Sequence, residues 1–136
     1  MYKRILFIIV TFVSLSSQAS LVLLKGKLTL VNGNLPSNAR LFSFVDATFE
    51  DTASIQTDGT FRFNVEVTTA GLYTLRINQY AYDIFFSKTE PELNFTAQWK
   101  DEVLQDLKLE NSIENEAYKQ LTQIRNYFFK KIADES

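Results

Sequence analysis

Strict alternation of apolar and polar residues dominates the middle of this chain. From Thr60 to Val67, every second residue is Phe or Val, and the residues between them are Thr, Arg, Asn and Glu. A β-strand turns successive side chains to opposite faces, so this period of two predicts a strand with one buried and one wetted face. The same alternation predicts further strands, the clearer ones at Leu24–Leu30, Tyr73–Ile77 and Leu93–Trp99, the weaker ones at Arg40–Val45, Thr52–Gln56, Ala81–Ser87 and Val103–Leu109.

Residues that favour tight turns separate these runs. Asn32-Gly33 follows the first run, and Asp58-Gly59 precedes the strand at Thr60. Both dipeptides tolerate the positive φ that a tight hairpin needs. Short strands joined by such turns predict an antiparallel β-sandwich of about seven to eight strands, which we place at residues 20–110.

A sandwich of this size without disulfides depends on its apolar core. The sequence supplies one, because 46% of its residues are hydrophobic and 12 are Phe. Phe carries a large apolar area and no polar atom, which suits the space between two sheets. Trp99 shares its parity with Leu93 and Phe95, so we expect its ring in the core rather than on a ligand-binding surface.

The first 19 residues have the pattern of an export signal. Lys3 and Arg4 precede an apolar run at Ile5–Leu15, and Ser17-Gln18-Ala19 places small residues where a signal peptidase cuts. A membrane anchor is the alternative, but a spanning helix needs about 20 apolar residues. We therefore predict a signal peptide at residues 1–19, an extracytoplasmic protein after its removal, and no membrane span in that protein.

A second periodicity, of three and four, appears at the end of the chain. It predicts one amphipathic helix within residues 111–136, with an apolar stripe at Ile113, Ala117, Leu121, Ile124, Phe128 and Ile132. Asn111 or Ser112 can cap the helix, and Glu114 completes a capping box if Asn111 is the cap. We expect the stripe to pack on the sandwich. The alternatives are a surface for a partner or for self-association, or the start of a longer connecting helix.

The composition excludes several classes of chemistry. The chain has no His and no Cys, so it cannot form a Ser-His-Asp triad, a Cys-His pair, a redox CxxC or the usual zinc and copper sites. Its net charge of −2 argues against nonspecific nucleic-acid binding. We expect no enzyme activity, no catalytic residue and no cofactor.

Carboxylates remain the only candidates for metal or acid-base chemistry. Asp46, Glu50, Asp51 and Asp58 form an acidic region around a loop, but their spacing does not match that of a calcium-binding loop, so a solvated turn is the better interpretation. Paired carboxylates can cleave glycosides without His or Cys. Asp83, Glu90 and Glu92 lie close in sequence, but nothing in the sequence places them in one cleft. We predict no metal site.

Surplus aromatic residues suggest an interaction surface made of Tyr80, Tyr82, Tyr118, Tyr127 and Phe129. Flat aromatic faces bind sugars and peptides. Tyr80 falls at a predicted turn and is the best candidate for an exposed ring. Tyr118, Tyr127 and Phe129 widen the apolar surface of the helix beyond its stripe.

Several segments resemble known exported domains. Gln56–Phe63 (QTDGTFRF) and Ala70–Ile77 (AGLYTLRI) are similar to segments of transthyretin-like and carboxypeptidase-regulatory-like sandwiches. With Tyr82–Ser87 (YDIFFS), Pro91–Phe95 (PELNF) and Asn111–Tyr118 (NSIENEAY), the chain resembles the N-terminal domain of unknown function that precedes TlpA/ResA-type thioredoxin-like domains in exported bacterial proteins.

This resemblance implies a bacterial, extracytoplasmic sandwich, most simply in the periplasm of a Gram-negative organism. It also implies a protein partner or a thioredoxin-like domain. Redox activity does not carry over, because the chain has no cysteine.

Three functions follow as expectations. The first is a non-catalytic interaction or scaffolding domain. The second is a truncated or detached accessory part of a thiol-disulfide oxidoreductase. The third is a small carbohydrate- or peptide-binding module.

Overall fold

The computed structural model describes residues 18–135, which form eight strands and one helix. The predicted signal peptide therefore lies almost entirely outside the described residues. The strands are β1 (Ser20–Leu30), β2 (Asn38–Ser43), β3 (Glu50–Ser54), β4 (Thr60–Val67), β5 (Gly71–Ile77), β6 (Tyr80–Phe86), β7 (Glu92–Lys100) and β8 (Val103–Glu110), and the helix is α1 (Ile113–Glu135).

The strands form two four-stranded sheets, in the orders β4-β1-β7-β8 and β3-β2-β5-β6. The two sheets do not close on each other. These eight strands in two sheets, followed by helix α1, confirm the predicted β-sandwich with one C-terminal helix. Every paired strand is antiparallel to its neighbours except that β1 and β7 run parallel. Parallel neighbours need a long connection, and here the chain between them builds the strands β2 to β6.

The core lies between the sheets and follows the alternation in the sequence. In β4, Phe61, Phe63, Val65 and Val67 are buried, and the alternate residues face outward. Trp99 is fully buried, as predicted, and its indole Nε1 donates to the carbonyl oxygen of Asn34 at 2.9 Å. Because the one polar atom of this ring is satisfied, its burial carries no hydrogen-bond penalty.

Turn chemistry at Gly59 sets the entry to β4. Gly59 has φ of 84°, and a Cβ there would lie 1.9 Å from the carbonyl oxygen of Leu28. Only Gly fits such a position without displacing backbone. Beside it, an Asp58 carboxylate oxygen accepts from the Thr60 hydroxyl at 2.6 Å and from the Thr60 amide at 3.0 Å, and these bonds lower the pKa of Asp58.

Helix α1 begins after Ser112, which settles the choice between the two predicted caps. The Ser112 hydroxyl oxygen accepts from the Asn115 amide at 3.1 Å, the bond expected of an N-cap. Asn111 instead has φ of 56° and lies in the turn between β8 and the helix. Glu114 therefore does not complete a capping box with Asn111.

The prediction that the apolar stripe packs on the sandwich is wrong. Its large side chains are exposed, with 66% of Leu121 and 56% of Phe128 accessible to solvent. Every residue from position 123 to 135 is exposed. The helix meets the sandwich at its first turns and through another face, and a helix of 23 residues is about 34 Å long. Its second half therefore extends beyond the contact.

Candidate interaction site

The carboxylate of Glu90, in the loop between β6 and β7, accepts hydrogen bonds from the start of helix α1. The two oxygens of Glu90 accept from the Ser112 hydroxyl at 2.7 Å, the Ile113 amide at 3.0 Å and the Glu114 amide at 3.3 Å. The first N–H groups of a helix have no partner within the helix and carry partial positive charge. Glu90 satisfies two of them and places a negative charge at this end.

The amide side chain of Asn115 joins the helix to the edge strand β6. Its Oδ1 accepts from the Phe85 amide at 2.7 Å, and its Nδ2 donates to the Phe85 carbonyl oxygen at 2.9 Å. β6 is the last strand of its sheet, so these two backbone groups have no neighbouring strand to bond. Asn115 acts as a one-residue strand partner and covers part of an edge that would otherwise bind other strands.

A third contact lies beside the first two. The Ser87 and Thr89 hydroxyl oxygens are 2.7 Å apart, and the Thr89 hydroxyl donates to the Glu114 carboxylate. Ser112 and Asn115 are buried. We call this polar contact the root; it comprises Phe85, Ser87, Thr89 and Glu90 of the sandwich with Ser112, Glu114 and Asn115 of the helix.

The apolar stripe lies on the side of the helix opposite the root. Successive residues of an α-helix are about 100° apart, so Ile124 and Asn115 differ by about 180° around the axis. Tyr118 and Thr122, which are half-buried, lie on the Asn115 side. The root therefore fixes the helix with its stripe turned away from the sandwich.

An open groove runs beside the first turns of the helix, on the side of the stripe. It has a volume of about 680 Å³ and is lined by Leu109 from β8 together with Asn111, Ser112, Ile113, Glu116, Ala117 and Gln120. Ile113 and Ala117 belong both to the stripe and to the lining of the groove. The groove and the stripe thus form one continuous, partly apolar surface.

The structure separates the five aromatic residues suggested by the sequence. Tyr80 and Tyr82 are half-buried on β6, where Tyr80 packs edge-on to Trp99 at 6.1 Å and Tyr82 packs near Phe95 at 5.7 Å. Tyr80 is therefore not a freely exposed ring. Burial, and then the charge of Glu116, raises the pKa of the Tyr82 phenol.

The three aromatic residues of the helix also differ from one another. Tyr118 is half-buried and lies with Tyr82 along a second groove of about 280 Å³. Tyr127 and Phe129 are each 64% exposed. Of the five, these two are the ones that the structure presents to solvent, Tyr127 beside Phe128 of the stripe and Phe129 on the same side of the helix as Asn115.

The carboxylates weighed for metal or acid-base chemistry lie apart, in turns and pairs. Asp46 accepts from the Thr48 hydroxyl at 2.6 Å and from the Thr48 amide at 3.0 Å, and these bonds lower the pKa of Asp46. Glu92 pairs with Lys25 at 3.0 Å, and Glu50 pairs with Arg40. Within residues 18–135, no group of three or more carboxylates is arranged to hold a metal ion. Over the same residues, no helix has the length and apolar character required to span a bilayer.

Sequence reasoning missed the roles of Glu90 and Asn115. The signal for Asn115 is weak, because an Asn three residues after a Ser cap also fits an ordinary first turn. Glu90 gives no local signal at all, since its partners lie 22 to 24 residues further along the chain.

Comparisons of the chain with protein-family models, with curated proteins and with solved structures find no match.

Proposed function

We propose that this chain is a non-catalytic interaction or scaffolding domain that presents one amphipathic helix to a protein partner. One observation carries the proposal: the stripe of α1 is exposed, and the polar root holds it on the side away from the sandwich. A contiguous apolar surface on a protein is typical of an interaction site. The root supports this role because it fixes the direction of the helix before any partner binds.

The proposed role needs no chemistry from the chain. With no His and no Cys, the sequence lacks the side chains most used for nucleophilic and redox catalysis. The carboxylates at Glu90 and Glu114 are used in the root. We therefore propose binding rather than turnover.

Export is part of the same proposal. The basic start, the apolar run and the small residues before Ser20 support a signal peptide. We propose that the domain acts outside the cytoplasm, in the periplasm of a Gram-negative bacterium.

A second candidate is an accessory part of a thiol-disulfide oxidoreductase, whose partner would be a thioredoxin-like domain. The observation that favours it is the segment Asn111–Tyr118, which supplied the resemblance and which forms the helix side of the root. In the proteins that the chain resembles, this segment leads towards a thioredoxin-like domain. The sugar- or peptide-binding alternative has less support, because the rings of Tyr80 and Tyr82 pack against core rings.

Photo-cross-linking from the helix tests the proposal. We would replace Phe128 with benzoylphenylalanine in the full chain, irradiate the producing cells, and use Phe44 as the matched control. Phe44 is a similarly exposed Phe, but it lies in the sandwich. We expect a protein adduct of discrete mass from position 128 that is absent from position 44 and is lost when Leu121→Asp is added. If position 128 gives no protein adduct, the proposed function is wrong.

A further inference from the structure

We propose that the occupant of the stripe and its groove is a second copy of this chain, with the two α1 helices packed antiparallel. This inference rests on the proposed function and names the partner. Its central residues are Ala117, Leu121, Ile124 and Phe128, which follow the spacing of four, three and four that pairs two helices along a seam. All four are exposed.

Side-chain volume favours the antiparallel direction. In an antiparallel pair centred between Leu121 and Ile124, these two residues pack against each other across the seam. Ala117 of each helix then lies level with Phe128 of the other, so that the smallest residue of the seam meets the largest. A parallel pair would set Ala117 against Ala117 and Phe128 against Phe128, which leaves a void in one layer and crowds the other.

Charge favours the same direction. A parallel pair would set Lys131 level with Lys131 of the second copy, whereas an antiparallel pair separates these two residues along the axis. Like charges at facing positions oppose the pairing of two helices. Antiparallel helices also place their macrodipoles in opposition, which is the favourable arrangement.

The groove supplies the room that an antiparallel partner needs. The end of the second helix must pass the base of the first, where the sandwich begins. At that point the structure has the open groove of about 680 Å³, and Ala117 forms part of its lining. Phe128 of the second copy would enter this groove over Ala117, with Leu109 and Ile113 beside it. The stripe is therefore accessible along the length of the helix, including at the first turns, where the groove lies.

Disulfide trapping tests the direction of the pair. The chain has no cysteine, so every disulfide formed comes from the cysteines introduced. Two variants of the full chain, Ala117→Cys and Phe128→Cys, are oxidised alone and as a mixture. We expect a disulfide-linked dimer from the mixture and at least about a tenfold lower yield from either variant alone. In the antiparallel pair, the two copies of position 117 lie about 16 Å apart along the axis, as do the two copies of position 128. This distance is beyond the reach of a disulfide.

The matched control is Gln123→Cys, mixed with Ala117→Cys. Gln123 is exposed on the same helix but lies about 120° from Ala117 around the axis, outside the seam. We expect no dimer from this mixture. Sedimentation equilibrium of the unmodified protein over a concentration series supplies the second measurement, with a monomer–dimer equilibrium expected.

The outcomes separate this inference from the proposed function. A dimer that forms equally well from each single variant alone shows parallel helices and overturns the inference. A monomer at all concentrations, with a photo-adduct from position 128 to a different protein, overturns the second copy but leaves the proposed function standing. A monomer that binds anionic lipid vesicles through α1, with no protein adduct, overturns both.

Discussion

The sandwich and helix α1 have equally regular apolar patterns, but only the sandwich buries its own. Phe63 and Phe128 make the contrast plain, since the first is 1% exposed and the second 56%. In the sandwich, each apolar strand face meets the facing sheet. In the helix, the apolar face meets solvent, while a polar residue, Asn115, makes the contact with β6. Periodicity shows which residues share a face, and the surrounding chain decides which face is covered.

The largest effect on the free energy of unfolding is expected from a change in the core of the sandwich. Phe63→Ala should lower the free energy of unfolding by about 3–5 kcal/mol, because it removes a buried ring and leaves a cavity between the sheets. The matched change Phe128→Ala should alter it by less than about 0.5 kcal/mol in the monomer. Denaturant titration followed by the fluorescence of Trp99, the single tryptophan of the chain, measures both. Equal losses from the two variants would show that the ring of Phe128 is buried.

A smaller effect is expected from a change that weakens the attachment of the helix to the sandwich. Asn115→Ala should cost about 1–3 kcal/mol in the attachment of α1, because it removes both hydrogen bonds to Phe85. We expect faster amide hydrogen exchange at Phe85 and in the first turns of the helix, while exchange in β1 and β7 stays slow. Gln123→Ala on the exposed part of the helix is the control. Unchanged protection at Phe85 in the Asn115→Ala variant would contradict the proposed root.

The smallest effect concerns the turn before β4. The pKa of Asp58 is lowered in the folded protein by the Thr60 hydroxyl and amide, so its ionised form stabilises the fold. That contribution is present above the ordinary carboxyl pKa and is lost as the pH falls through the lowered folded value. We expect Asp58→Asn to weaken the fall in denaturation midpoint between neutral and acid pH. An identical pH dependence in wild type and variant would mean that the turn contributes nothing.

The sequence predicts the parts of the sandwich that depend on neighbouring residues. Alternation predicts a segment that overlaps each of the eight strands, although Thr52–Gln56 is displaced by two residues from β3. Asn32-Gly33 and Asp58-Gly59 mark turns where both glycines adopt positive φ. The order of the strands and the parallel pairing of β1 with β7 depend on contacts between distant segments. No local pattern encodes that pairing.

The candidate site shows the same limit. The existence of α1 and the residues of its stripe follow from its periodicity, but the covered face does not. That face is set by Asn115 and Phe85, which lie 30 residues apart, and by the free edge of β6. An apolar helix stripe commonly packs on the nearest core. In this protein the polar root attaches the helix instead, and the stripe stays exposed.

The variant Leu121→Asp gives the most direct test of the claim that the sandwich does not support the stripe. Leu121 is 66% exposed, so a charge there should leave the unfolding free energy of the dilute monomer within about 0.5 kcal/mol of wild type, measured by Trp99 fluorescence. A loss of several kcal/mol would contradict the account, because it would show that Leu121 is buried against the sandwich and is not presented to a partner.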